Sequence, residues 1–528
     1  MPPRQRLLLL VLLAAAAMTA LLAAVVLGVD ERSREAAQQT LLVAGLSAAI
    51  ATPLGALLAV LLAKTDVPGK GAAWATLATM LVVPLYLQAA AWDAGFGKLG
   101  WHSAAYGRLA QPLLSGAAAV VWIHAMAAIP WTTLIVGLGL YFVDPVEEEE
   151  ALLAGGAAAV FWRLTLPRAG ASVVAAALWV MIVAAGEMTV SNIYMVPNYA
   201  EAIYTGFALG RTTYDVTLGA LPRLALTAIC VLAGLLVVRR VASAADQTPQ
   251  RPPLVFRLGR WRYPAALLVA AMLLVLAGVP LLDLVYQAGA VVRITEQEVV
   301  RGWSPGKFAT VLLEAPSRNR RELLWTLLIG AASATAALAA ALPLAWCARR
   351  NRWLGLAALL SAAVLLAIPG PLLGMLVNWP RPLSPLTAWL YDRTIFAPTL
   401  ALTLRSLPVA LLICWYALAS VADDTLDAAR SEGAGWLTRL LRVVAPQRLP
   451  ALAAAWLAAL AVGAGDFSSA ILTIPPGIDT IPRLVFGMIH FGVTDQVAGV
   501  CLTFAAFYTL LGIAIFALLR LGRATREM

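Results

Sequence analysis

Apolar runs of twenty or more residues, broken by short stretches of charge, glycine and proline, dominate the chain. Leu7 to Val29 carries no charged residue, and that length exceeds the ~20 residues needed to cross a bilayer. Six such runs lie near 7–29, 40–63, 72–92, 113–142, 169–191 and 216–238, and six more near 264–288, 323–348, 353–378, 397–421, 450–472 and 496–519. The expected fold class is all-α, a polytopic membrane protein of about twelve transmembrane helices. Arg4 and Arg6 before the first run also fit a signal peptide, with Ala15 to Ala17 as a small-residue cleavage region. A signal core is usually ~7–15 residues, so an uncleaved first span is the expectation.

Composition agrees with the pattern: 61% of the residues are hydrophobic and 12% charged, about half the ~25% charged residues of a soluble domain. The net charge of +10 is read as membrane orientation rather than nucleic-acid binding. With a cytoplasmic N-terminus, that side collects Arg4, Arg6, Lys64, Lys70, Arg349, Arg350, Arg352, Arg520, Arg523 and Arg526. The linker arginines Arg239, Arg240, Arg251, Arg257, Arg260 and Arg262 fall on the same side. Both termini are therefore expected in the cytoplasm. Cys230, Cys347, Cys414 and Cys501 sit in or at the end of apolar runs, and no Cys/His spacing suggests a metal or cofactor. His124 and His490 are likewise read as no metal site, and Arg405 as snorkelling to the interface.

Self-similarity is visible at fixed offsets. Shifting by 279 places Arg163 on Arg442, Pro167 on Pro446, Gly186 on Gly465, Glu187 on Asp466, Pro197 on Pro476 and Phe207 on Phe486. Earlier the offset is 286, where Thr40-Leu41-Leu42 meets Thr326-Leu327-Leu328 and Lys64 meets Arg350. The expected organisation is a first repeat over 1–240, a polar, proline-containing cytoplasmic linker over 241–262, and a second repeat over 263–528. Six spans per half make the repeats parallel, an arrangement that suits a transporter with its path between the copies.

Each half carries a similar loop between its fourth and fifth spans. The second reads Asp424-Thr425-Leu426-Asp427-Ala428-Ala429-Arg430-Ser431-Glu432-Gly433-Ala434-Gly435-Trp436 and continues to Arg442-Val443-Val444-Ala445-Pro446. The first runs Asp144-Pro145-Val146-Glu147-Glu148-Glu149-Glu150-Ala151, then Gly155-Gly156, then Phe161 to Pro167. Asp144 is expected to cap a helix with Pro145 at its first position and Glu147 completing a capping-box-like pair; Asp424 with Asp427 makes a similar start. The glycines then end the helix. A short, capped, partly apolar helix present twice is what docking to a twofold partner needs.

These loops resemble the "EAA" signature of ABC-importer permeases: Glu-Ala-Ala, three residues, Gly, nine residues, an aliphatic residue, one more, then Leu-Pro. In the second loop Asp427-Ala428-Ala429, Gly433, Val443 and Pro446 stand in register, with Asp for Glu and Ala445 for Leu. In the first, counting back from Pro167 puts Ala154 at the glycine position, and Gly155 or Gly156 serves if one or two residues are missing. The resemblance implies coupling helices that dock an ABC ATPase subunit, in two copies, through Glu148, Glu149, Glu150, Ala151, Gly155, Gly156 and Pro167, and through Asp427, Ala428, Ala429, Gly433 and Pro446. It also implies a periplasmic or lipid-anchored substrate-binding protein, on the face near 289–322, 93–112 and 379–396, and a bacterial inner-membrane location. Two fused repeats, with Gly465-Asp466-Phe467-Ser468-Ser469 and Pro475-Pro476-Gly477, look most like ferric-iron permeases, with thiamine and phosphonate relatives close.

No Gly-x-x-x-x-Gly-Lys-Ser/Thr phosphate loop occurs, so ATP hydrolysis is expected on a separate subunit and the chain is not read as an enzyme. Glu187 and Asp466, near the ends of the fifth and eleventh spans, are candidates either for the substrate path or for capping the segment that follows. An ion-coupled secondary transporter of twelve spans would lack the paired loops. A membrane enzyme would need a cluster of His, Asp or Glu, and the sequence offers none.

Overall fold

The computed structural model describes residues 31–105, 112–209, 253–294 and 299–527. The expected spans near 7–29 and 216–238, and the linker up to residue 252, lie outside them. In chain order the longer helices are α1 Glu31–Lys64, α2 Lys70–Val82, α3 Leu85–Phe96, α4 Gly116–Tyr141, α5 Pro145–Ala154, α6 Leu166–Gly186 and α7 Tyr199–Ala208. They continue as α8 Arg262–Leu273, α9 Val279–Gly289, α10 Pro305–Arg318, α11 Arg320–Arg350, α12 Arg352–Ala367 and α13 Gly370–Asn378. The last are α14 Pro385–Arg393, α15 Phe396–Ala419, α16 Asp423–Ser431, α17 Leu449–Gly465, α18 Ile481–Ile489 and α19 Asp495–Glu527. A two-stranded antiparallel hairpin, β1 Ala290–Ile294 and β2 Val299–Trp303, precedes α10.

The protein is all-α and polytopic. Among the described residues seven helices are long and apolar enough to cross a membrane, or ten if each of three bent pairs is one span. Two of the bends recur at matching places: 104° between α2 and α3 at Val83-Pro84, and 106° between α12 and α13 at Ile368-Pro369. Proline supplies no N–H to the helical ladder and clashes with the preceding turn, so each break is written into the sequence. The third bend, 87° before Leu449, has no counterpart, because residues 157–186 run as one helix.

Two compact units interleave along the chain. The first draws on residues up to Asp66, Gly116–Arg262 and Leu366–Leu376; the second holds Val67–Ser115, Tyr263–Leu365 and Val377 onward. Segment 67–115, early in the chain, thus belongs to the second unit.

Each unit is organised around the same trio: α1, α4 and α6 in the first, and α11, α15 and α17 in the second, mutually packed. The crossings are lined by small residues, which in lipid let backbones approach until dispersion and weak polar contacts hold them. A Cβ on Gly139 of α4 would lie 2.1 Å from Ser172 Oγ of α6; one on Gly463 of α17 would lie 2.5 Å from Ser333 Oγ of α11. Both serines bond backwards, Ser172 to Ala169 O and Ser333 to Gly330 O, which spends their hydroxyls inside their own helices. The trios are anchored alike at one end: Thr40 Oγ1 accepts from Tyr199 N–H at 2.9 Å, and Thr326 Oγ1 from Ile481 N–H at 2.9 Å.

Gly463→Leu should therefore separate α17 from α11 and cost about 1–3 kcal/mol by overpacking. In detergent its apparent melting temperature should fall clearly, while Gly487→Ala, where an added Cβ meets nothing within 4 Å, should melt like the parent.

Candidate functional site

The two loops each follow a long helix of their trio, but they begin differently. Asp144 Oδ1 accepts from Val146 N–H at 2.9 Å and Pro145 opens α5. The expected capping pair stops there, because Glu147 reaches Arg168 instead, at 2.7 Å, bracing the start of α5 against the start of α6. The second loop departs further: α16 begins at Asp423 without a side-chain cap. Asp423 accepts from Arg349 at 2.7 Å and Asp427 from Arg430 at 3.0 Å, so neither carboxylate is spent on backbone N–H groups. Gly155 ends α5 in extended backbone, whereas Gly433 follows α16 at φ +77°, a left-handed turn that other residues adopt only with strain. Both loops re-enter the membrane trio through a π-helical turn, Phe161–Thr165 and Arg439–Val444, just before Pro167 and Pro446. Both prolines are exposed.

The burial patterns of the two loops run in parallel at an offset of 278: buried Glu148 stands opposite buried Leu426, exposed Glu149 opposite exposed Asp427, and exposed Glu150 opposite exposed Ala428. Half-buried Ala151 then meets half-buried Ala429, and half-buried Gly155 meets exposed Gly433; exposed Gly156 falls one place beyond. The first loop is thus one residue shorter between its glycine and its proline.

Glu148 is turned inward and is no surface contact, contrary to its place among the expected docking residues. Its carboxylate takes Lys64 Nζ at 2.9 and 2.7 Å on its two oxygens and Thr165 Oγ1 at 2.7 Å, with both charged side chains fully buried. The second unit fills the matching places with apolar Leu426 and Val444, both buried. An ionised pair out of water persists only where each lone pair finds a donor, and the Thr165 hydroxyl supplies the third. Residues at the end of the linker close the same corner. Phe256 N–H donates to Lys64 O at 2.7 Å, Leu258 N–H to Asp66 Oδ1 at 2.8 Å, and the Phe256 ring meets Phe161 edge-on.

The two carboxylates at the ends of α6 and α17 also correspond. Glu187, just past the end of α6, accepts from Thr189 N–H at 2.6 Å and Val190 N–H at 2.9 Å, starting the next turn. Asp466, just past α17, accepts from Ser469 N–H at 3.2 Å and Ser469 Oγ at 2.6 Å. Each faces a basic group from the preceding long helix: His124 Nε2 lies 3.7 Å from Glu187 Oε2, and Arg405 Nε 3.2 Å from Asp466 Oδ2. Arg405, read from sequence as a lone snorkelling residue, thus has Asp466 as a partner. Spacing could not reveal these pairs, because partners 61 or 63 residues apart share no periodicity. A third polar contact escaped the hydropathy reading entirely. Buried Asp283 of α9 accepts from Trp101 Nε1 at 3.0 Å, with His102 Nε2 at 3.3 Å. No group of three or more His, Cys, Asp or Glu side chains that could hold a metal ion occurs among the described residues.

The comparison with known families falls on the second unit's trio and loop. Residues 334–522 match the family model described as "Binding-protein-dependent transport system inner membrane component". The match spans most of α11, the bent α12–α13 pair, Arg405, the whole second loop, Asp466 and most of α19. It supports an inner-membrane permease of a binding-protein-dependent importer. No curated protein matches the chain.

Lys64→Met leaves the Glu148 carboxylate buried without its counter-ion and should cost about 3–5 kcal/mol. Lys64→Met with Glu148→Leu removes both buried charges, placing at 148 the leucine that the second unit carries at 426, and should recover most of that loss. Thermal melting of the two purified variants in detergent reads the difference.

Proposed function

We propose that the chain is the membrane-spanning permease of an ATP-binding-cassette importer, with both halves of the translocation path fused in one polypeptide. The observation that carries the reading is the doubled loop. Two short surface helices end in glycine, pass through a π-turn and a proline, and enter matching helix trios, and one of the two lies in the stretch that matches the permease family. In this reading each helix seats in one copy of a separate ATPase subunit. Glu149, Glu150 and Ala151 face it in the first half, and Asp427, Ala428 and Ala429 in the second. Nucleotide-driven closure of the ATPase pair would press on both helices, and the π-turns would pass the motion into α6 and α17.

The loops then face the cytoplasm with both termini, the membrane is the bacterial inner membrane, and a substrate-binding protein delivers cargo at the other face. Ferric iron is the cargo favoured by the resemblance of the fused repeats to ferric-iron permeases, with thiamine or a phosphonate as alternatives. Cargo choice in this arrangement rests largely with the binding protein.

Co-purification with the ATPase encoded beside this chain tests the reading. The intact chain should capture it. Gly433→Trp should lose capture by tenfold or more, about 1.4 kcal/mol, because the left-handed turn is strained and a bulky ring projects where no neighbouring atom now stands. Absence of capture by the intact chain, with uptake that follows an ion gradient, would overturn it in favour of a secondary transporter. Uptake of radiolabelled ferric iron, thiamine and a phosphonate by cells with and without the gene would then name the cargo.

A further inference from the structure

Glu187 and Asp466 are held by the same device, made from different chemistry. Both carboxylates lie just beyond the last helical residue of their span, their side chains are similarly shielded (15% and 14% exposed), and both accept bonds from the turn that follows. Each is approached by a basic side chain of the neighbouring trio helix, His124 on α4 and Arg405 on α15. Arginine keeps its charge at every accessible pH, so the Arg405–Asp466 tie is permanent. Histidine does not.

The geometry around His124 decides which nitrogen can change. Nδ1 lies 2.8 Å from Val120 O, and a carbonyl oxygen only accepts, so Nδ1 carries a proton in either charge state. In the neutral ring Nε2 is then a bare lone pair aimed at the Glu187 carboxylate, which also only accepts. The 3.7 Å separation is what two acceptors keep, and Nε2 is buried without a hydrogen-bond partner. A proton arriving at Nε2 converts this gap into a charge-assisted bond to Glu187 Oε2.

Among the described residues, the elements packed most closely on α4 are α1, α6 and the turn Thr189–Ile193, and their facing stretches bring no other charge to it. Residues 36–63 of α1, which meets α4 through Ser47 Oγ and Val121 O, carry no charge; nor do residues 169–186 of α6 or 189–193 of the turn.

We infer that His124 is a proton-operated tie: protonation of its Nε2 fastens Glu187, and with it the segment that follows α6, to α4, matching in the first unit the permanent Arg405–Asp466 tie of the second. Segment 187–199 is built to pass such a tie on. Asn198 Nδ2 donates to Glu187 O at 2.8 Å and to Ser191 Oγ at 2.9 Å, closing it into a loop, and Tyr199 N–H returns to Thr40 of α1. If the chain is the permease proposed above, this loop of the first unit lies at the outer end of its span and tightens with acidity, while the counterpart in the second unit stays fixed. That last step rests on the permease reading; the tie itself does not.

Hydrogen–deuterium exchange of the purified, membrane-reconstituted chain reads the tie directly. Rates over 188–199 are taken at neutral pH and at an acid value well below the ordinary histidine value of ~6.5, and corrected for intrinsic exchange. The intact chain should be about tenfold better protected on the acid side, one pK unit's worth of coupling. His124→Arg should be protected at both values and His124→Gln at neither, while peptides around Asp466 should not change with pH. An intact chain that exchanges like His124→Gln throughout would overturn the inference, as would equal pH dependence in His124→Gln. Should the arginine variant fail to fold, nitrogen-15 spectra of histidine-labelled protein decide the same question. A proton gained at Nε2, with Nδ1 protonated throughout, supports the tie; a proton gained at Nδ1 overturns it. None of these readings uses the ATPase, so loss of the permease reading and loss of the tie are distinguishable.

Discussion

A polar group placed among hydrocarbon must find its partner inside the protein, because neither lipid nor water is there to supply one. That constraint organises the polar features of this chain. Glu148 is matched by Lys64 and Thr165, Arg405 by Asp466, and Asp283 by Trp101. Each pairing joins elements far apart in sequence and so does topological work that apolar packing, alike along every helix face, cannot do. Threonine hydroxyls serve the same end: Thr40 and Thr326 each take the first N–H of a helix more than a hundred residues away.

The remainder is close packing of small residues. Where Gly139 passes Ser172 and Gly463 passes Ser333, there is no room for a side chain, and helix axes approach to a distance that larger residues forbid. Both units use this solution in the same trio. The two units share this trio but differ elsewhere, most clearly in the buried corner below the two loops. One copy keeps Leu426 and Val444 there; the other has an ion pair with a threonine and the linker strand at Phe256 folded over it. The duplicated loops retain the same exposed face even though what lies beneath them differs. That likeness of the exposed faces is why the loops carry the functional proposal. The two carboxylates beyond α6 and α17 follow the same logic, keeping the cap and varying the cation.

Much of this architecture was legible in the amino-acid sequence. Uninterrupted apolar length marks a span whatever its neighbours do, so the helices over 34–64, 116–141, 396–419 and 495–521 fall where hydropathy puts them. The matching carboxylates beyond α6 and α17 were visible as a coincidence at one offset, because Pro, Gly and acidic residues are rare in such runs. The prolines at 84 and 369 announce the bends, since their effect is local to the backbone.

What tertiary structure alone decided is which way the polar side chains turn. Four consecutive glutamates, Glu147 to Glu150, are indistinguishable by composition, yet Glu147 braces Arg168, Glu148 is buried on Lys64, and Glu149 and Glu150 face outward. Arg405 and His124 read as isolated residues in apolar helices until α15 and α17, and α4 and α6, come together. Helix formation depends on neighbours three and four positions away, which a sequence displays. Pairing of buried charge depends on partners that only the packing of spans brings within reach.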